Sequence, residues 1–382
     1  MSSLQDTLRR RVDDGTVPGA VGLVARGDDV EVVAVGSADV EGTAPMARDS
    51  IFRIASVSKP VTAAAVLALV EDGRLALDAP VAEWLPELAK PVVARTPSSP
   101  VDDVVPAERP VTVEDLLSFR AGWGFPDDFF LPAVQALLSF QQDGRAPYLQ
   151  PDPDEWLARL ARVPMVRQPG AAWLYNTGSD IQGVLVARAS GSSFPDFLAE
   201  RFFGPLGMTD TGFAVPESER SRFTTAYTPG EPGVLVRADT PDGGFSRPPA
   251  FPSGAGGLVS TADDLLAFHR MLGAGGAAPD GTRVLSPTSV ARMTTNHLPA
   301  AQREAAALFL EGQGWGYGGQ VDVDPVDPWN VPGRYGWVGG TGTAAHVVPP
   351  TGTVTVLLTQ VAMTSPTPTA LMREFWASTA GR

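Results

Sequence analysis

Phe52-Arg53-Ile54-Ala55-Ser56-Val57-Ser58-Lys59-Pro60-Val61 places a serine three residues before a lysine, a proline directly after it, and an apolar run beyond. Proline is tolerated within a helix only in its first turn, so Pro60 puts the start of a helix over 57–72 within a residue or two of Ser56. Asp72-Gly73 closes that helix, and its apolar residues cover most faces, so it is expected to be buried. A serine at a helix N-terminus sits at the positive end of the dipole, beside unpaired backbone N–H groups that favour an alkoxide and can supply half of an oxyanion hole. Lys59 lies one turn along the same face, with Cβ atoms about 5–6 Å apart, so its amine can reach the Ser56 hydroxyl.

The choice of lysine is informative. The chain has 29 lysines and arginines together, and Lys59 and Lys90 are its only lysines. Arginine keeps its proton in proteins, whereas lysine can exchange one, and burial lowers an amine's pKa toward a useful range. Alone, Ser56 also reads as an ordinary N-cap and Lys59 as a snorkelling surface amine. Partner residues must distinguish the readings.

The chain is 382 residues long, 43% apolar, and carries a formal net charge of −14. That composition is globular and has room for a large core. Its arginines are scattered, so no basic face exists to neutralise phosphates; nucleic acid and membrane surfaces are not expected partners, and a small-molecule substrate is. The absence of cysteine excludes disulfides, thiol nucleophiles and cysteine-bound zinc. No cofactor or metal is expected. The N-terminus reads as an amphipathic helix without the apolar core of a signal peptide, and Val61 to Val70 is too short to span a bilayer, so the expected location is cytoplasmic.

Residues 20–37 alternate in hydrophobicity around Arg26-Gly27-Asp28-Asp29 and predict an antiparallel hairpin. Residues 91–110 read as an irregular excursion, followed by short helices near 113–119, 134–141, 155–162 and 179–189. Glycine and proline dominate 228–257, and Ser260-Thr261-Ala262-Asp263-Asp264 signals a capped helix start. Strands are predicted at 343–348 and 353–361, then a last helix from about 366. The expected organisation is a discontinuous sheet domain (1–90 and 300–382) and a mostly helical domain (91–299), with the site in the cleft between them.

No serine has the Gly-x-Ser-x-Gly context of a Ser-His-Asp hydrolase. Of the three histidines, His269 falls inside a helix, His297 in a polar loop and His346 in a strand, without metal-ligand spacing. Tyr175 is a better base. It precedes the polar run Asn176-Thr177-Gly178-Ser179-Asp180, and a phenol becomes a usable base when an ammonium stabilises its phenolate. A core aromatic beside Trp173 is the other reading of Tyr175.

Read together, Phe52–Lys59, Trp173-Leu174-Tyr175-Asn176-Thr177-Gly178-Ser179-Asp180 and Gly336-Trp337-Val338-Gly339-Gly340-Thr341-Gly342-Thr343 resemble the motifs of the serine β-lactamase and penicillin-binding-protein superfamily. The class C type, with family VIII carboxylesterases, is the nearest branch. Val113–Arg120 and Gly256–Asp264 extend the likeness over nearly the whole chain. The resemblance implies an α+β fold, an antiparallel sheet flanked by helices with a mostly helical second part. It implies Ser56 as acylated nucleophile, Lys59 as its proton partner and Tyr175 as base, with the backbone N–H groups of Ser56 and Gly340 as oxyanion hole. The third motif would be an edge strand facing the nucleophile.

Two departures bear on substrate. Penicillin-recognising members carry Tyr-x-Asn where this chain has Tyr175-Asn176-Thr177, and Lys-Thr-Gly where it has Trp337-Val338-Gly339. An apolar rim penalises a substrate carboxylate, so neutral esters are favoured, unless Arg334 replaces the missing cation. Trp337, Val338, Gly339, Thr177, Trp123 and Phe125 are the expected substrate-binding residues, with Phe129 and Phe130 completing an aromatic wall, and the loops at 120–130 and 319–336 are expected to form the pocket walls. The expected activity is hydrolysis of small carboxylic esters through an acyl-Ser56 intermediate. β-Lactam or D-amino-acid amide hydrolysis and acyl transfer are the enzymatic alternatives, and a non-catalytic scaffold or ligand sensor is the non-enzymatic one.

Overall fold

The computed structural model describes residues 3–141 and 146–380. Helix α1 (Leu4–Asp13) opens the chain behind a capping box in which Ser3 and Asp6 exchange hydrogen bonds. The hairpin follows as β1 (Gly19–Arg26) and β2 (Asp29–Gly36), with Arg26 facing Asp29 across a two-residue turn. Gly27 takes a positive φ of 57° there, the conformation such turns demand.

Helix α2 (Ser58–Glu71) starts where Pro60 requires and is buried from Ser58 to Leu69. It packs against helix α3 (Thr177–Ser190), which is buried over most of its length. Helix α4 (Ala262–Gly273) begins at the expected cap, where the Thr261 hydroxyl accepts from the Asp264 N–H.

The C-terminal part supplies five more strands, β3 (Gly314–Trp315), β4 (Gln320–Val321), β5 (Tyr335–Gly339), β6 (Thr343–Val348) and β7 (Thr353–Thr359), and helix α5 (Ala370–Thr379). The pairings in this sheet are antiparallel, and the order is β2-β1-β7-β6-β5-β4-β3. The chain's two ends therefore meet in one sheet. Helices α1 and α5 pack together beside it, tied by the Arg11–Glu374 ion pair, while α4 lies against β1, β6 and β7. Cover on both faces explains why β1 is buried almost throughout while β2, at the edge, alternates. The α+β architecture expected from the sequence is the one observed.

Three expectations need correction. The third motif lies on β5, which is not an edge strand, because the two-residue strands β4 and β3 continue the sheet beyond it. The 91–110 stretch, expected to be irregular, holds a short antiparallel pair, Val92–Ala94 with Val104–Pro106, whose strands are too short to show a clear period. Helix α5 starts at Ala370 and not near 366, since Pro366 and Pro368 disfavour helical backbone at the residues before them and Thr369 caps the first turn. No described helix is long and apolar enough to cross a membrane.

Candidate active site

Ser56 stands in a single 3₁₀ turn, Ala55–Val57, that runs into α2. The residue before it, Ala55, is held at a φ of 43°, a left-handed conformation that a residue with a Cβ adopts only when its surroundings enforce it. The enforcing contacts come from the sheet. Thr341 Oγ1 donates to the Arg53 carbonyl at 2.6 Å and Thr343 Oγ1 to the Ile54 carbonyl at 2.9 Å, fastening the β5–β6 connection to the residues that lead into the turn. Arg53 itself is buried, its guanidinium on Asp239 and on the carbonyls of Thr224 and Thr240, stacked 3.9 Å above the Phe223 ring.

Gly339 sits against the same place. A Cβ there would collide with the Ile54 carbonyl and the Thr343 hydroxyl, so only glycine lets β5 approach the Ser56 turn this closely. Gly339→Ala is expected to lower stability by about 1–3 kcal/mol through overpacking. It should also lower kcat/KM by about 100-fold by displacing β5 from Ser56. A thermal melt together with initial rates separates the two effects.

Lys59 is fully buried, and its Nζ donates to Ser56 Oγ at 2.8 Å and to the Ala255 carbonyl at 2.6 Å. The same amine lies 4.6 Å from the centroid of the Tyr175 ring. Ser56 and Lys59 from the first motif and Tyr175 from the second thus meet at one point. Tyr175 is held by a reciprocal backbone pair with Phe125, N–H to carbonyl at 2.9 Å each way, and by packing on Trp173, Phe309 and Trp337. Directly after it, Asn176 adopts φ 79° and ψ −65° with the Thr177 N–H on the Tyr175 carbonyl at 3.1 Å, a rare and strained γ-turn that aims the tyrosine away from α3. The indole Nε1–H of Trp337 donates to the Tyr175 hydroxyl oxygen at 2.7 Å.

These groups open onto a cavity of about 430 Å³ lined by Ala55, Ser56, Phe125, Phe129, Leu138, Gln141, Tyr175, Asn176, Phe309, Trp337, Val338, Gly340, Met363, Thr364, Ser365 and Pro366. None of these side chains is charged, so the wall is apolar and aromatic apart from a few hydroxyls and amides. Of the residues expected at the site, Ser56, Tyr175, Trp337, Val338, Gly340 and Phe125 line this cavity, and Phe129 lines it too.

Other residues are elsewhere. Trp123 is not a wall residue: it is buried in the core with its indole N–H on the Val163 carbonyl, because Gly122 and Gly124 turn the chain inward there. Thr177 is fully buried behind the wall, donating to Gln141 Oε1 at 2.8 Å, and Gly339 packs on Ile54 instead of facing the cavity. Phe130 is 88% exposed. The amide beside the missing Tyr-x-Asn position is that of Gln141, from a distant segment. Arg334 is buried near Trp376 with its Nη1 on Asp322 at 3.5 Å, so it brings no cation to the cavity. The 319–336 loop does not reach the wall, which 363–366 completes instead. No histidine lines it, and His269 is buried in α4, burial pushing its pKa down to about 4.

Asp180 closes the second motif, and nothing in the sequence around it announces a role. It is buried in the first turn of α3, accepting from Ser253 Oγ at 2.6 Å, the Ala255 N–H at 3.1 Å and Gln141 Nε2 at 3.3 Å. Burial lifts its pKa above the usual carboxylate value, and those donors and the Lys59 charge offset only part of that rise.

The family described as Beta-lactamase matches residues 4–374. The chain belongs to the β-lactamase family. It is a serine hydrolase of the β-lactamase type. Among curated relatives, an uncharacterized protein of Mycobacterium tuberculosis is 39% identical over 89% of this chain and 84% of its own length. Esterase EstB of Burkholderia gladioli is 36% identical over 78% of this β-lactamase-family chain and 74% of its own. The solved structure of EstCE1, described as a hydrolase with promiscuous acyltransferase activity, superposes with a TM-score of 0.79 at 24% identity, covering 99% of this chain and 97% of that one, which places the fold.

Proposed function

We propose that the protein hydrolyses small, uncharged carboxylic esters through an acyl-Ser56 intermediate, with Lys59 and Tyr175 handling the protons. The observation that carries this reading is the 2.8 Å contact from Lys59 Nζ to Ser56 Oγ at the floor of a cavity whose wall, among the described residues, has no charged side chain. Ser56 Oγ attacks the ester carbonyl carbon as its proton passes to Tyr175. The N–H groups of Ser56 and Gly340 receive the developing oxyanion, and such a donor contributes about 3–4 kcal/mol to the transition state. Collapse expels the alcohol oxygen, which takes the proton from Tyr175. Water then repeats the sequence on the acyl-enzyme and releases the acid. The Lys59 amine and the Trp337 indole N–H both stabilise negative charge on the Tyr175 phenol.

An apolar wall disfavours penicillins and peptides ending in carboxylate, whose charge would be desolvated without a partner. The esterase name of the Burkholderia relative agrees with this preference. Acyl transfer to an alcohol is the second reading, favoured by the apolar cavity, which can hold an alcohol where water would attack.

A panel of p-nitrophenyl esters against nitrocefin tests the proposal. A burst of nitrophenol, turnover of short-chain esters far above that of nitrocefin, and a fluorophosphonate adduct mapped to Ser56 are expected. Nitrocefin turnover matching ester turnover would reject the ester preference, and absence of the adduct would reject the acyl-Ser56 intermediate.

A further inference from the structure

Asp180 accepts hydrogen bonds on both carboxyl oxygens. Oδ1 receives the Ser253 hydroxyl and the Ala255 N–H; Oδ2 receives the Gln141 amide nitrogen, while Thr177 Oγ1 donates to the oxygen of that amide. A backbone N–H and a primary amide nitrogen only donate, so in this hydrogen-bond arrangement a proton on either oxygen would face a donor. The geometry is that of a carboxylate. A buried carboxylate is costly unless a charge balances it, and Lys59 is the cation that acts on it.

The two residues also share a backbone element. Ala255 gives its N–H to Asp180 and its carbonyl to Lys59. Gly254 packs so tightly on the first turn of α3 that a Cβ would strike the Ser179 carbonyl. The Ser253–Ala255 turn is therefore a bracket, fixed on one side by Asp180 and presenting an acceptor to the amine on the other.

We propose that Asp180 is a positioning residue: by its charge and through the Ser253–Ala255 turn it keeps Lys59 an ammonium in the resting enzyme, leaving Tyr175 to take the Ser56 proton. This rests on the acyl-Ser56 reading above and divides the labour within it. The groups facing the Lys59 amine are Ser56 at the start of its own helix, the Tyr175 ring, Asp180 from α3 and the Ser253–Ala255 turn, which has no ionisable side chain. Asp180 is the carboxyl group among them, and it is tied to the turn that receives the amine. Burial alone would drive the amine toward neutrality.

The chain itself offers a direct readout. Lys59 and Lys90 are its only lysines and Lys90 is exposed, so lysine labelled with ¹³C and ¹⁵N gives one buried and one exposed Cε–Nζ signal. In the wild type the Lys59 signal is expected to be that of an ammonium at neutral pH. In Asp180→Asn, which keeps an oxygen for Ser253 and Ala255, the Lys59 midpoint should fall by about 1–3 pH units, and the alkaline limb of kcat/KM should move down with it. A general loss of stability would move the melting temperature and leave the limb in place.

A neutral Lys59 in the wild type overturns the proposal without any variant. So does an Asp180→Asn enzyme with both midpoint and limb unchanged. Activity surviving in Ser56→Ala would instead remove the acyl-Ser56 reading, whereas an inactive Ser56→Ala enzyme with a neutral Lys59 removes the Asp180 assignment alone.

Discussion

Ser56→Ala is expected to lower ester turnover by roughly 10⁴–10⁶-fold while the fold stays intact. The magnitude follows because nucleophile, base and proton carrier act as one unit, and losing the nucleophile forfeits nearly all of their joint effect. The structural cost is small. Ser56 is 8% exposed and its side chain receives the Lys59 hydrogen bond. Leaving one buried Lys59 N–H without its acceptor costs about 1–3 kcal/mol, and Lys59 keeps the Ala255 carbonyl. The strained Ala55 backbone is held by Thr341 and Thr343 and does not depend on the serine hydroxyl. Steady-state rates, the pre-steady-state burst and a melting curve together check this. A variant with a lost burst, a melt lowered by no more than a few degrees and no fluorophosphonate adduct fits; one that retains several per cent of wild-type turnover would mean that the acyl group is carried elsewhere.

Much of this site is legible in the amino-acid sequence because its main constraints are local. Pro60 places Ser56 at a helix start, and the three-residue interval places Lys59 on the same face, both consequences of helix geometry alone. The alternation on either side of Gly27 likewise specifies the first hairpin, since a period of two and a glycine at positive φ are properties of adjacent residues. Tyr175 and Trp337 are harder: their pairing needs β5 beside the Ser56 turn, and only their resemblance to ordered family motifs brings them forward.

What stays hidden is what depends on distant chain segments meeting. Asp180 is in plain view beside Tyr175, but its partners Ser253 and Ala255 lie 73 and 75 residues away, and no local period marks that turn. Gln141 reaches the cavity from the turn after one short helix and Phe309 from within another, places where a polar or aromatic residue usually signals only a chain turn or core packing. Trp123 and Phe125 have the same local signature and opposite fates, because Gly122 and Gly124 rotate successive side chains to different sides. Side-chain direction around such glycines is a tertiary property.

Tyr175→Phe separates the chemistry of the phenol from its packing. The ring contacts with Trp173, Phe309 and Trp337 are made by the aromatic face and persist in phenylalanine. The lost group is the hydroxyl that accepts from Trp337 Nε1 at 2.7 Å. Leaving that buried N–H without an acceptor costs about 1–3 kcal/mol, enough to lower the melting temperature by a few degrees without unfolding the protein. The kinetic effect should be far larger: kcat falling by about 10²–10⁴-fold, the range for removal of a general base, with KM changing little because the cavity keeps its shape. Both acylation and deacylation should slow, since the same phenol serves the serine and the water. Rapid mixing with a p-nitrophenyl ester resolves the two steps. If only deacylation slows, Ser56 loses its proton to Lys59 in the first step, and Tyr175 acts on water alone; if neither slows, the indole–phenol contact is structural and the base must be sought in Lys59.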